Sequence, residues 1–451
     1  YQYSDRNYTR FVSYAGATHE NEKWSFGSYL YSENDIKNQP LQQNLTEEQA
    51  QILSGAGDNP ELMVAPSAYV DSYSDNKLLY KKTIINSVEV FEYSNDSQEE
   101  LFNVRFSSVG TKKGNYVLKN ASGINRLYEY IAPINSLTQG DYEPIIKLVS
   151  PTKIQIATFL GSYKPSEKSA VNFEIGISNN DKNLFSVSDD SDNKGLSGKV
   201  NLKQRIFSAK WDIDAFANYQ FTQKEFSSVE RIYTIEFNRD WNLETTAIGN
   251  QSLLVSGINF NLNKAINLAN KGLITYQFEK LAFSDSFSGN RHILNGQYNT
   301  KNWLFQNQGS YLKGDGTVTS SKFIRNESQV KYHFNKNWIG TSQRFEDNQE
   351  KNKSTKEFSN LSQRFSEYGI FTGRGDSTKV FVELGFLKRN NDSIQSGLLQ
   401  KVNSSQTYFL KSKLIQTNKT DLSVYANYRV LNFTDSSKKN EPSLNSRIVY
   451  N

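Results

Sequence analysis

The segment Trp211-Asp212-Ile213-Asp214-Ala215-Phe216-Ala217-Asn218-Tyr219-Gln220-Phe221 alternates apolar and polar side chains with a period of two, broken only at Phe216. Successive side chains of an extended strand leave on opposite faces, so one face of this segment meets apolar surroundings and the other meets water. Val171, Phe173, Ile175 and Ile177 alternate with Asn172, Glu174, Gly176 and Ser178 in the same way. Leu422, Val424, Ala426, Tyr428 and Val430 repeat the design near the end. No run approaches the roughly 20 apolar residues of a membrane helix. Any membrane crossing therefore has to be made by strands.

Composition points the same way. Phe and Tyr number 28 and 26 while Pro is only 8, which is strand chemistry. A mean hydropathy of −0.66 with 36% hydrophobic residues suits long two-faced strands. Ala/Leu/Glu-rich helices are not found, and the fold class expected is all-β.

Three copies of one turn device punctuate the strands: Phe237-Asn238-Arg239-Asp240-Trp241, Tyr298-Asn299-Thr300-Lys301-Asn302-Trp303 and Phe334-Asn335-Lys336-Asn337-Trp338. Each leaves a strand on an aromatic, turns through Asn, Asp and a cation, and restarts on Trp. Asn and Asp tolerate the left-handed backbone of a tight hairpin. Amphipathic rings favour a membrane's headgroup layer, where strand barrels carry aromatic girdles. Trp24, Trp211, Phe237, Trp241, Tyr298, Trp303, Phe334 and Trp338 are accordingly expected as membrane-interface anchors. Short turns are expected near residues 209, 239, 301, 336, 375 and 418. Longer polar loops are expected opposite them, at Ser284–Asn290, Lys313–Gly316, Glu346–Lys356, Asn390–Ser393 and Asp435–Pro442. That asymmetry describes a large antiparallel, up-and-down transmembrane β-barrel.

The chain divides on pattern into three parts. Residues 1–32 read as a barrel hairpin, with a polar turn through His19-Glu20-Asn21-Glu22 before Trp24. Residues 33–150 read as an inserted small β-rich domain. Its one helix is announced by the capping box Thr46-Glu47-Glu48-Gln49, whose side chains satisfy free backbone amides. Within it the turn Gly114-Asn115-Tyr116 is echoed by Gly140-Asp141-Tyr142, suggesting two related edges of one small sandwich. Residues 151–451 read as barrel strands. The opening Tyr1-Gln2-Tyr3 and the closing Arg447-Ile448-Val449-Tyr450-Asn451 suggest a piece of a longer chain.

Little catalytic chemistry is on offer. With no Cys, disulfides, thiolate metal sites and Cys nucleophiles are excluded together. His19, His292 and His333 lie far apart, without a partner at metal-ligand spacing. Nucleotide-binding loops and nucleophile elbows are missing, so no cofactor and no enzymatic activity are expected. A net charge of +5 spread over 451 residues implies no nucleic-acid partner. Asp189, Asp190 and Asp192 form a weak calcium candidate, because clustered carboxylates offer hard oxygens. Lys194 stands where a further ligand is wanted, and a solvated loop is the preferred reading. Arg374-Gly375-Asp376 matches an adhesion tripeptide, but sits where a turn is expected.

The segments Trp24-Ser25-Phe26-Gly27-Ser28-Tyr29-Leu30-Tyr31, Gly140-Asp141-Tyr142-Glu143-Pro144 and Ser178-Asn179-Asn180-Asp181-Lys182-Asn183, with the hairpins after them, resemble large outer-membrane β-barrel proteins of the Bacteroidota. The resemblance implies a location in the cell outer membrane, contact with outer-membrane lipid, and partnership with other outer-membrane proteins or lipoproteins. A role in transport, secretion or outer-membrane assembly follows from it. No plug-domain pattern of a TonB-dependent receptor accompanies it. The competing reading is a cell-surface β-rich binding or adhesion protein whose aromatic faces contact glycans or proteins.

Overall fold

In the computed structural model the described residues are 10–36, 45–122, 125–209, 211–243, 247–262, 271–376, 379–417, 419–434 and 437–450. Strands make up 67% of the chain and helix 4%, so the all-β class stands. Seventeen strands join one large antiparallel sheet, accompanied by two four-stranded sheets and one two-stranded sheet. Among the described residues, hydrogen bonding does not close the large sheet into a barrel. No described helix is long and apolar enough to cross a membrane.

The chain forms two compact units. The first takes Tyr1–Ala15, Leu30–Ile156 and Ser178–Lys194; the sequence reading assigns that last stretch to barrel strands. Its helix Glu47–Ala56 begins on the expected capping box: the Thr46 hydroxyl accepts from the Gln49 amide, and the Gln49 side chain accepts from the Thr46 amide. Leu53 and Ala56 anchor it against Met63, Ala65 and Leu148. The helix ends at Gly57, whose φ of 61° suits a residue without Cβ.

A second core gathers Tyr80, Phe91, Phe102, Val104, Tyr116 and Tyr128. The Tyr116 hydroxyl accepts from the Phe91 amide at 2.8 Å and the Tyr80 hydroxyl from the Tyr128 amide at 3.1 Å. Both phenols are thus satisfied where water is excluded. The echoed Gly-x-Tyr turns pair with each other: Gly114 and Gly140 exchange hydrogen bonds of 2.9 and 2.8 Å, and Tyr116 faces Tyr142. A Cβ on either glycine would lie 2.4 Å from a tyrosine carbonyl oxygen. The repeat seen in sequence therefore records a close backbone approach.

The second unit takes Gly16–Tyr29, Ala157–Ile177 and Gly195–Asn451. From Lys194–Ser208 onward it is an unbroken antiparallel meander. The strands are Asp212–Thr222, Gln251–Leu262, Lys271–Phe283, Phe287–Asn299, Trp303–Gly316, Thr319–Phe334, Asn337–Asn352, Gln363–Gly375, Phe381–Gln395, Leu398–Gln416, Thr420–Phe433 and Lys438–Tyr450, each paired with the next. Asn335 has φ 55°, as its hairpin requires. Other turns close differently: Asn21, Thr300 and Thr417 each accept, through a side-chain oxygen, the amide of the residue three further on. This is the local side-chain turn that Asn and Thr offer.

Two expectations need correction. The segment Phe237–Trp241 is not a hairpin turn but a short helix, inside a long connection between Thr222 and Gln251. The alternation of short turns with long polar loops holds only in part: residues 353–362, which include the end of Glu346–Lys356, form a longer connection on the expected side, but among the described residues the other expected loops do not. Lys313–Gly316 and Asn390–Ser393 lie within strands, as does Glu346–Asn352. At that end the described connections include Ser284–Ser286, the pair Thr317-Val318, and Ser396-Gly397, both with positive φ. Polar residues misled here because the backbone ladder pairs regardless of side-chain polarity. Strands such as Asn337–Asn352 and Leu398–Gln416, of 16 and 19 residues, extend well past the roughly 9–11 that a membrane requires. Part of the proposed loop Asp435–Pro442, at 435 and 436, lies outside the described residues.

Candidate functional site

Residues directly opposite in an antiparallel pair share a face, so the register sorts the second unit's side chains into two sets. One face carries Ile213, Ala215, Ala217, Tyr219 and Phe221, then Leu254, Ile258 and Phe260, and further on Trp303, Phe305, Val330, Tyr332 and Ile339. It continues through Tyr368, Ile370, Val382, Leu384 and Phe386 to Tyr408, Leu410, Val424, Ala426 and Tyr428. Many of these side chains are bare: Ile370 is 64% exposed, Ile339 55%, Leu384 54%. An apolar face exposed over so many adjacent strands is far larger than isolated surface hydrophobics. Its central polar group is self-satisfied, because Asn307 accepts from both Asn326 and Ser328 at 2.9 Å and donates to the Leu294 carbonyl.

The opposite face is polar and ionised, and many of its charges are paired. Arg291 meets Glu279 at 2.6 Å, Arg325 approaches Glu346 at 3.6 Å, Lys331 approaches Glu383 at 3.8 Å, and Arg344 approaches Glu367 at 3.4 Å. Glu383 also accepts from the Trp338 indole at 2.8 Å. Several of these carboxylates are among the least exposed groups of the unit, Glu279 at 6% and Glu346 at 8%. Burial is thus inverted: ions are enclosed while isoleucines stand in the open.

A hollow of about 820 Å³ lies on this polar face, lined by residues from Asn261 to Tyr425. Those two belong to strands separated by eight others, so the sheet curls around the hollow. Its charged lining balances, with Lys271, Arg344 and Lys411 against Glu327, Glu367 and Glu383. Beside it is a second hollow of about 380 Å³, lined by Asp240, Arg291, Arg325, Glu346 and Phe365 among others.

The described part of the connection between Thr222 and Gln251 folds onto this same polar face. Its helix Phe237–Trp241 drives Trp241, 1% exposed, into a cluster with Leu281, Phe287, Leu312 and Phe323, all polar-face positions by register. Arg291 lies over the indole at 4.8 Å. Asp240 sits between two arginines, 2.7 Å from Arg325 and 3.8 Å from Arg291. Asn242, left-handed at φ 47°, closes the helix and exchanges side-chain hydrogen bonds with Asn348. Hydrophobic anchor, ion pair and amide pair together hold the segment against the wall.

The expected aromatic anchors divide. Trp303 (43% exposed) and Phe334 (41%) lie on the apolar face beside their turns, with Tyr298 opposite Phe305. Trp303 packs on Phe305 and Tyr332. Trp24 is 39% exposed and stacks on Tyr163 at 3.9 Å; Trp211 is half-buried next to its turn. Trp241 and Trp338 are corrections, each only 1% exposed and both facing the polar side. Phe237 follows Trp241 into the inserted segment, where it stacks on Tyr233 at 4.1 Å. Trp338 is turned inward by strand parity, since His333 and not Phe334 is its partner. It lies over Gly373, while Phe371 covers Gly340 and Phe409 covers Gly385. Gly opposite a ring on the next strand was the signal available in the sequence, but only register shows which glycine meets which ring.

In the loop of the weak calcium candidate, two of the three carboxylates are engaged within the protein. Asp189 accepts the Asp58 amide, Asp190 accepts from the Asn193 side chain at 3.0 Å, and no cluster of three or more potential ligands exists among the described residues. This loop seals the end of the helix Glu47–Ala56. Asn183, 1% exposed, donates to the carbonyls of Leu53 at 2.7 Å and Gly57 at 2.6 Å, acceptors that a helix end leaves unpaired. Burial and the Asp189 carboxylate push the Asp58 carboxyl above its ordinary range. The adhesion-like tripeptide is turn chemistry: Gly375 ends its strand at φ 116°, and the Asp376 carbonyl accepts from the Lys379 amide at 2.9 Å.

Compared with known proteins, the chain matches no family model and no curated protein.

Proposed function

We propose that the second unit is the wall of a transmembrane β-barrel of the outer membrane, serving transport, secretion or assembly as a channel or scaffold without catalytic chemistry. The observation that carries this reading is the inverted sheet. Water-soluble sheets bury their aliphatic face and expose their ions, whereas this one bares Ile339, Ile370 and Leu384 and encloses Glu279 and Glu346. A lipid-facing exterior and a hydrated lumen account for both halves of the inversion. The rings of Trp303, Tyr332 and Phe334 then mark one membrane interface. On this reading the segment from Gln223 to Asn250 narrows the lumen, and lipid and other outer-membrane proteins are the partners.

Fractionation tests it. The full chain, expressed with an outer-membrane targeting signal, is expected to resist salt and carbonate extraction, to need detergent, and to shift on a gel between unheated and boiled samples. Release by salt or by surface proteolysis, without a heat-dependent shift, would replace this reading with that of a surface-exposed adhesive array.

A further inference from the structure

We infer that the larger hollow is a binding site for a neutral, polyhydroxylated solute, an oligosaccharide, held by the amides of Asn295, Gln297, Gln306, Gln308 and Gln329. This deepens the channel reading by naming a class of cargo. Register places the five amides in a compact ladder on three adjacent strands: Asn295 faces Gln308, Gln297 faces Gln306, and Gln306 faces Gln329 on its other side. Neighbouring strands are about 4.8 Å apart, and same-face neighbours along a strand about 6.7 Å. The ladder therefore presents hydrogen-bonding groups at the scale of one or two sugar rings.

These amides differ from the rest of the polar face in being unspent. Among the described residues none of the five has a side-chain hydrogen bond to the protein, whereas Arg344, in the same hollow, is engaged by Glu327 and Glu367. Each primary amide offers two donors and two acceptor lone pairs, and sugar hydroxyls both donate and accept. The five amides are uncharged, so a charged solute would lose hydration against them without gaining a counter-ion there; Lys271 and Lys411 stand elsewhere on the hollow's lining. The five amides follow one another on adjacent strands with no apolar residue between them on that face, while the apolar lining, Leu273, Phe371, Leu387 and Phe409, lies to either side; tetraglycine, which has no side chains, tests the amides against a peptide backbone.

Titration calorimetry on the detergent-solubilised full chain tests this without requiring membrane passage. The probes are maltotriose, the N-acetylglucosamine trimer, a trigalacturonate and tetraglycine. At least one neutral trisaccharide is expected to bind in the millimolar range, with trigalacturonate and tetraglycine at least fivefold weaker. Q306L/Q308L is expected to weaken sugar binding about tenfold, as loss of roughly two hydrogen bonds implies. Q306A/Q308A, which removes the same amides with a smaller side chain, serves if the leucine pair does not fold, and is expected to weaken sugar binding as well. Binding of neither sugar, tighter binding of trigalacturonate or tetraglycine, or sugar binding unchanged in a folded variant would each overturn the inference. Fractionation decides the membrane reading separately, so the two can fail independently.

Discussion

Replacing Trp241 with Ala probes how the inserted segment is held. The indole is 1% exposed among Leu281, Phe287, Leu312 and Phe323, and truncating a buried Trp costs about 3–5 kcal/mol. That figure includes the loss of the Arg291 contact over the ring, itself worth about 0.5–2 kcal/mol. The Asp240 pair with Arg325 remains but, being partly exposed, contributes little by itself. The thirteen-strand ladder does not depend on the segment, so the cost falls on local docking. Trypsin reads it, because Arg231 and Arg239 lie in the segment. Cleavage through a transiently opened state follows the opening equilibrium, and about 3 kcal/mol corresponds to roughly a 150-fold faster cut. Trp303→Ala, altering an exposed ring on the other face, is expected to leave that rate unchanged. An unchanged rate at Arg231 and Arg239 in W241A, with the sheet intact, would refute the docking argument. Simultaneous cleavage throughout the strands would show instead that the segment is part of the global core.

Other outcomes follow from particular contacts. Asp58→Asn is expected to raise the stability of the first unit at neutral pH and to flatten its pH dependence. Because burial and Asp189 raise the folded-state pKa of Asp58, its charge destabilises above that pKa. The penalty grows as pH rises through the raised value and is absent below the ordinary carboxylate range; thermal melts of variant and wild type from pH 4 to 8 check the sign, and a D58N advantage that failed to grow with pH across that range would contradict it. Gly373→Ala places a Cβ 2.2 Å from the Trp338 ring and is expected to cost about 1–3 kcal/mol by overpacking. Gly55→Ala, with nothing within 4 Å of the new carbon inside the helix Glu47–Ala56, is expected to stabilise by about 0.5–1 kcal/mol. Chemical denaturation of both variants distinguishes them, and equal effects would void the packing argument at Trp338.

Local rules were legible in the residues. The period of two gave the strands, because alternation is a property of the extended backbone. Thr46-Glu47-Glu48-Gln49 announced its helix, because a capping box is complete within four residues. The turn after Tyr298 was legible for the same reason. Turn chemistry alone could not separate Phe237–Trp241 from its two look-alikes: five residues with the same ring, Asn and cation pattern become a helix when the chain around them lacks a partner strand and Trp241 finds a pocket of four distant side chains. Strand parity decided Trp338, since one residue's shift in pairing sends a ring to the other face. Asp189 and Asp190, two of the three carboxylates of the weak calcium candidate, accept from Asp58 and Asn193, the former 131 residues from Asp189, which spacing alone could not foretell. Sequence by itself determined that this chain is made of two-faced strands, because that pattern is local. Tertiary structure alone decided which face encloses the ions and which polar groups are left unspent, because both depend on partners that only register and folding bring together.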